Sequence, residues 1–395
     1  MDRKKRLESF YVSCLLGGAM GDALGYQVEF LSFKEIESKY GPGGILIYDG
    51  PALISDDTQM TLFTATGLLL AETRSAYRGI GAPISSYVYY SYLDWLSTQG
   101  LSKNIKDPSR RDSWLVDIKE LHHQRSPGRT CVSSLMLGDE EHKYNLLNPI
   151  NDSKGCGAVM RIAPVGLIYN RLENPLIMAA EIGALTHGHP MSHLSCQLMT
   201  IIIKNIFKYT DRTLWRTIQD SIKELDYFYR KDPSDITLLP FYNACRKYLR
   251  EFINLMKKAL ILVRHSQVFL EPHRNNNDIK NIASLGEGWV AEEAIAIAIY
   301  CATRFQTNPM EGIIAAVNHD GDSDSTGALA GQILGAFYGL ESFPEVFYIN
   351  LENRDVIMEV AKDLAAGCKF DSYSKASKEK DIWETKYLKC ERYIK

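Results

Sequence analysis

The sequence predicts an all-α protein, a single compact multi-helix orthogonal bundle. Almost every long segment places its apolar residues at helical spacing, strand signals are sparse, and nothing alternates strand with helix as a parallel sheet would. Composition agrees: 395 residues, 45% hydrophobic and 24% charged, suffice for a large core and exclude a disordered chain or a disulfide miniprotein. Lys and Arg number 45 against 48 Asp and Glu, a net charge of −3, so no global positive field gathers nucleic acid or an anionic membrane. Neither is expected as a partner.

At the N-terminus, Met1-Asp-Arg-Lys-Lys-Arg6 and the apolar stretch Phe10 to Leu16 imitate an export signal, but Asp22 and nearby glycines crowd the would-be cleavage region. No run approaches the roughly 18 apolar residues of a membrane span. The 8 cysteines show neither a C-x-x-C pair nor zinc-ligand spacing, so they read as reduced thiols of a cytoplasmic protein. Gly17, Gly18, Gly21 and Gly25 lie on or near one helical side, which suits close helix packing or a backbone-lined pocket equally. Asp22 reads as support for a neighbouring loop, and Gly44 to Asp49 as a short extended piece.

Ser55-Asp56-Asp57-Thr58 opens a helix-compatible run reaching Ala71, where acids cap free N–H groups and meet the positive end of the dipole. In the next run Val88, Tyr92 and Trp95 share a side and read as core. Gln99 to Thr130, Asn145 to Gly157, and Glu271 to Ser284 with its Asn275 to Asp278 run read as loops. Arg161 could hold a pyrophosphate through its planar fork or pair with a buried acid such as Asp22, and the ion pair is favoured. His187-Gly-His189-Pro190 with His193 suggests a metal site, but Pro190 interrupts the spacing and loop support or substrate lining is preferred. Gly286-Glu-Gly-Trp289-Val290 could present Trp289 to a nucleotide; the alanines and isoleucines that follow, with acids on one side, predict a mostly buried helix.

Asp320-Gly-Asp322-Ser-Asp324-Ser325-Thr-Gly327 carries three acids, more than one helix start requires. An EF-hand is excluded, since Ser325 stands where its glycine belongs and Gly331 where its bidentate Glu belongs. The hard oxygen donors favour magnesium or manganese. If Asp56, Asp57, Asp322 and Asp324 share one pocket, two charges about 4 Å apart repel by about 4 kcal/mol at an effective dielectric near 20. A pair of divalent ions bridged by a carboxylate would neutralise them and leave positions for substrate oxygens. After Phe370 the chain turns polar, then spaces Trp383, Tyr387, Cys390 and Ile394 as an amphipathic helix expected to pack back.

Four segments in order, Gly21 to Gly25 with Glu29, Ser55 to Thr58, Gly157 to Pro164 and Gly321 to Gly327, resemble the ADP-ribosylglycohydrolase family. The resemblance covers about residues 10 to 340 and implies an all-α fold with a central dinuclear magnesium or manganese site. It places Ser55, Asp56 and Asp57 on one metal, Asp322 and Ser325 on the other, and Asp324 between them. It puts Glu29 beside the metals on a closing loop, and with Asp57 it is the candidate for catalytic proton handling. It makes Gly155, Cys156, Gly157, Met160 and Arg161 a substrate-lining element, with Cys156 where asparagine is frequent. His187 and Trp289 complete the expected substrate contacts. The implied partners are ADP-ribose and an ADP-ribosylated protein, cleaved at the C1″ glycosidic bond, and the Asp-Ser-Asp-Ser-Thr wording is closer to the arginine-specific branch. Other readings are hydrolysis of free conjugates such as O-acetyl-ADP-ribose, and ADP-ribose binding without catalysis. The division expected is residues 1–370 for this domain and 371–395 for the tail.

Overall fold

The computed structural model describes residues 3–101, 113–137, 145–265 and 274–389; among these the regular structure is helical, with two isolated bridges and no strand. The first half contains α1 (Arg3–Gly25), α2 (Phe33–Tyr40), α3 (Asp56–Arg78), α4 (Ile84–Thr98), α5 (Arg129–Leu137), α6 (Ala163–Leu167), α7 (Pro175–Ala184) and α8 (Pro190–Lys208). The second contains α9 (Leu214–Arg230), α10 (Leu239–His265), α11 (Asn276–Ala283), α12 (Ala291–Arg304), α13 (Pro309–Val317), α14 (Ser323–Tyr338), α15 (Arg354–Ala366) and α16 (Lys378–Glu384). The fold is the all-α bundle the sequence predicts.

The central pairing is α1 along α14. A Cβ added to Gly21 would lie 1.9 Å from the Gly327 carbonyl oxygen, and one on Gly17 would lie 2.3 Å from that of Gly331. Glycines on both faces therefore bring the backbones together, which decides for close packing over a backbone-lined pocket. The helix after Val290 is buried nearly throughout, as its alanines and isoleucines predict, against α8, α10 and α14. Val88, Tyr92 and Trp95 are core residues of α4, packed on α3.

Several sequence expectations are corrected. Gly44 to Asp49 forms no strand. The Asn275 to Asp278 run is not a loop but the start of α11, because Asn275 accepts the backbone N–H groups of Asn277 and Asp278 as an N-cap. Asp278 then reaches Arg304 at 3.0 Å, a buried ion pair that ties α11 to α12. Pro190 does not interrupt a helix but begins α8, with His189 as its cap. Of the tail stripe, Trp383 and Tyr387 are buried, and the Trp383 indole donates to Thr73 Oγ1 of α3 at 3.0 Å. The stripe packs back as expected; Cys390 and Ile394 lie outside the described residues. Among the described residues no helix is long and apolar enough to cross a membrane.

Candidate functional site

Two helix starts far apart in sequence meet because α1 touches both, one through Asp22 and the other through Gly25. The Asp22 carboxylate accepts the backbone N–H groups of Ser55 and Thr58, each at 3.0 Å, and the Thr58 hydroxyl, so it anchors the first turn of α3. Three residues beyond Asp22, Gly25 lies against the backbone of Ser323 and Asp324 at the start of α14. Asp322 caps that helix by accepting the Ser325 N–H at 3.2 Å. Thus α1 aligns both acidic N-termini, whose dipoles favour negative charge.

The two starts open on a cavity of about 480 Å³. Glu29, Asp56, Asp57, Asp322, Asp324 and Ser325 line one part, and Gly155, Cys156, Gly157, Met160, His187 and Trp289 another. Two predicted residues are absent from this lining. Ser55 is fully buried, and its hydroxyl accepts the Asp57 N–H at 3.2 Å as the cap of α3. Arg161 is buried behind the wall and is bonded neither to substrate space nor, among the described residues, to Asp22. Its guanidinium lies 4.3 Å from the Tyr92 ring centroid and donates to Thr186 Oγ1 at 2.6 Å. Its charge still lowers the proton affinity of Asp56.

That arginine also reaches an imidazole through a threonine: Thr186 Oγ1 accepts from Arg161 and lies 2.8 Å from His187 Nδ1. Burial holds the His187 pKa down to about 3, so the ring is neutral. Its Nε2 faces Gly155 and Gly157 at the cavity wall. Cys156 points its thiol at Asp322 Oδ2.

Sequence reasoning missed Phe30 and residues 126–131, all of which line the cavity. Ser126 has a left-handed backbone, φ 51°, and its side chain works against the rise in the Glu29 pKa. The Gly128 N–H donates to Asp56 Oδ2 at 3.1 Å. The available signal was the turn-forming Ser126-Pro-Gly-Arg-Thr130 before a helix-compatible run.

Burial followed by mutual repulsion dominates the acids. Burial, then the charge of Asp322, pushes Glu29 up to about 8; burial pushes Asp56 up to about 8, against the Gly128 hydrogen bond. Burial and neighbouring carboxylates also raise Asp57 and Asp324. Among the described residues, buried Glu29 Oε2 and Asp57 Oδ2 have no hydrogen-bond partner. Uncompensated hard oxygen donors of this kind suit a divalent cation. Among the described residues, no group of three His, Cys, Asp or Glu side chains already stands in a metal-holding arrangement. The fit therefore rests on donor type, charge and orphaned oxygens.

An all-helical bundle with a carboxylate-lined cavity between two helix starts defines the class. The ADP-ribosylglycohydrolase family profile matches residues 3–372, and the chain belongs to that family. It is 23% identical to the ADP-ribosyl-[dinitrogen reductase] glycohydrolase of Rhodospirillum rubrum, over 86% of this chain and 90% of that protein. It is 22% identical to ADP-ribosylhydrolase ARH1 of Dictyostelium discoideum, over 89% and 92%. A solved ADP-ribosylglycohydrolase-related protein complex shares the fold, with TM-score 0.55 and 21% identity over 92% of this chain and 99% of that one. Family membership makes the chain a hydrolase of ADP-ribose linkages.

Proposed function

We propose that the chain removes ADP-ribose from arginine side chains of modified protein by cleaving the C1″ glycosidic bond, with two magnesium or manganese ions. The observation that carries the reading is the meeting of Asp56, Asp57, Asp322 and Asp324 with Glu29 around one cavity, with buried carboxylate oxygens left unpartnered. Asp56 and Asp57 would hold one ion, Asp322 and Ser325 the other, with Asp324 between. Ser55 supports the first group as the cap of α3. Bound ions would supply charge neutralisation and orientation of the ribose hydroxyls.

The remaining work falls to the chain. Cleavage builds positive charge at C1″, which the acid-lined wall favours. Glu29 and Asp57 both line the cavity, and their carboxylates are suited to orient water and take its proton. Elsewhere on the lining the neutral His187 ring can offer an N–H to a pyrophosphate oxygen, while Arg129 supplies a cation. A guanidine leaves already protonated at neutral pH, so no strong general acid is needed. The Asp322-Ser-Asp-Ser-Thr326 wording and the likeness to the Rhodospirillum glycohydrolase support the arginine linkage.

The test is release of ADP-ribose from arginine-ADP-ribosylated protein, with either metal and after chelation, using Asp322→Asn as control. Release that needs metal and disappears in the variant is expected. Turnover of O-acetyl-ADP-ribose alone would move the assignment to small conjugates, and ADP-ribose binding without turnover would make the chain a binding protein.

A further inference from the structure

Two large aromatic side chains stand exposed at the cavity: Phe30 retains 72% of its surface and Trp289 40%. A single exposed ring needs no explanation, but these two come from different parts of the chain and meet. Their centroids are 6.3 Å apart with planes inclined by 19°. That separation is near the far end of the range for ring pairs, so the faces are not closed against each other.

Their attachment locates them. Phe30 follows Glu29 directly, and Gly288, the residue before Trp289, packs its Cα region against Asp322 and Thr326. Glu293 fixes this second segment by accepting the N–H groups of Glu287 and Gly288 at 3.0 and 3.3 Å. The rings therefore stand where the two parts of the cavity meet: Gly288 packs on the start of α14, while the Trp289 carbonyl accepts the Cys156 N–H at 3.2 Å. Glu29, Asp322 and Asp324 line the same cavity as the two rings. An electron-rich ring pair at a cavity lined by carboxylates is a receptor for a planar organic cation.

We infer that Phe30 and Trp289 form the acceptor-side subsite, a lip that receives the guanidinium of the arginine leaving group. The carboxylates lining the cavity, Glu29 among them, complement its positive charge. The inference rests on the arginine reading, but it assigns these rings to the protein side of the bond and not to adenine. They act as specificity-determining residues; an uncharged serine linkage offers them nothing to hold.

Phe30→Ala, Phe30→Tyr and Trp289→Ala separate the possibilities in two measurements on the full chain. The first is calorimetric binding of N-acetyl-arginine amide to protein saturated with ADP-ribose, and the second is steady-state cleavage of an arginine-ADP-ribosylated peptide alongside binding of free ADP-ribose. In each alanine variant the arginine amide affinity should fall about tenfold and the peptide KM rise by a similar factor. ADP-ribose affinity should stay within about twofold, and Phe30→Tyr should restore both losses. Equal loss of ADP-ribose affinity would assign the rings to the nucleotide and overturn the inference, as would unchanged arginine amide binding. Arginine amide binding without peptide cleavage in the wild type would defeat the arginine hydrolase reading and leave the subsite standing.

Discussion

A carboxyl group buried among carboxyls and an imidazole buried on its own answer to pH in opposite senses. His193 is the simpler case: burial holds its pKa down from 6.5 to about 4. The unfolded chain takes up a proton below about 6.5 while the folded one stays neutral, so this contribution is full above pH 6.5 and is lost as pH falls toward 4. At pH 5 the loss is about 2 kcal/mol. His193→Gln should therefore show a smaller drop in denaturant-unfolding free energy between pH 7 and pH 5 than the wild type, by about that amount; parallel curves would refute it. Glu29 is argued from chemistry. Glu29→Gln keeps the shape and the Ser126 contact but removes the base, so kcat on an ADP-ribosylated substrate should fall by about 100-fold or more. A similar KM in the same assay would separate lost proton handling from lost binding. An unchanged kcat would hand that role to Asp57.

Between elements, the α1 and α14 crossing depends on glycines that tolerate no side chain. A Cβ on Gly331 would lie 1.9 Å from the Gly17 carbonyl oxygen, so it meets backbone that cannot rotate aside. Gly331→Val should cost about 3 kcal/mol or more in unfolding free energy, at or above the upper end of ordinary overpacking. Gly81→Ala, where a Cβ meets open space, is the control and should stay within about 0.5 kcal/mol. Equal stabilities would mean that the crossing relaxes freely. At this scale much was legible: helical runs marked α3 and α12, and the acidic motifs at 55–58 and 320–324 marked the capped starts of α3 and α14. The start of α11 was not, because asparagines that cap a helix look the same in sequence as asparagines that fill a loop. The wall at residues 126–131 was also hidden. Its contribution includes a backbone N–H at Gly128, which no side-chain pattern records.

For the whole molecule, the decisive event is the meeting of residues 55–58 with 322–325. The glycines of α1 were visible as one helical side, but only packing shows that they face the glycines of α14 and set Asp22 and Gly25 against the two acidic starts. The fold thereby holds several buried carboxylates close together, an arrangement that mutual repulsion opposes. A cation that binds this cluster and not the unfolded chain must stabilise the fold by mass action, by about 2.7 kcal/mol at a free concentration one hundred times its Kd. Manganese or magnesium should thus raise the thermal midpoint in a concentration-dependent way, and chelation should reverse the rise. Asp322→Asn should show a smaller rise at the same metal concentration, while Gly81→Ala should match the wild type. Scanning calorimetry across a metal titration reads this without any substrate. An identical rise in wild type and Asp322→Asn would place the stabilising cation elsewhere and break the link between the acidic cluster and the metals.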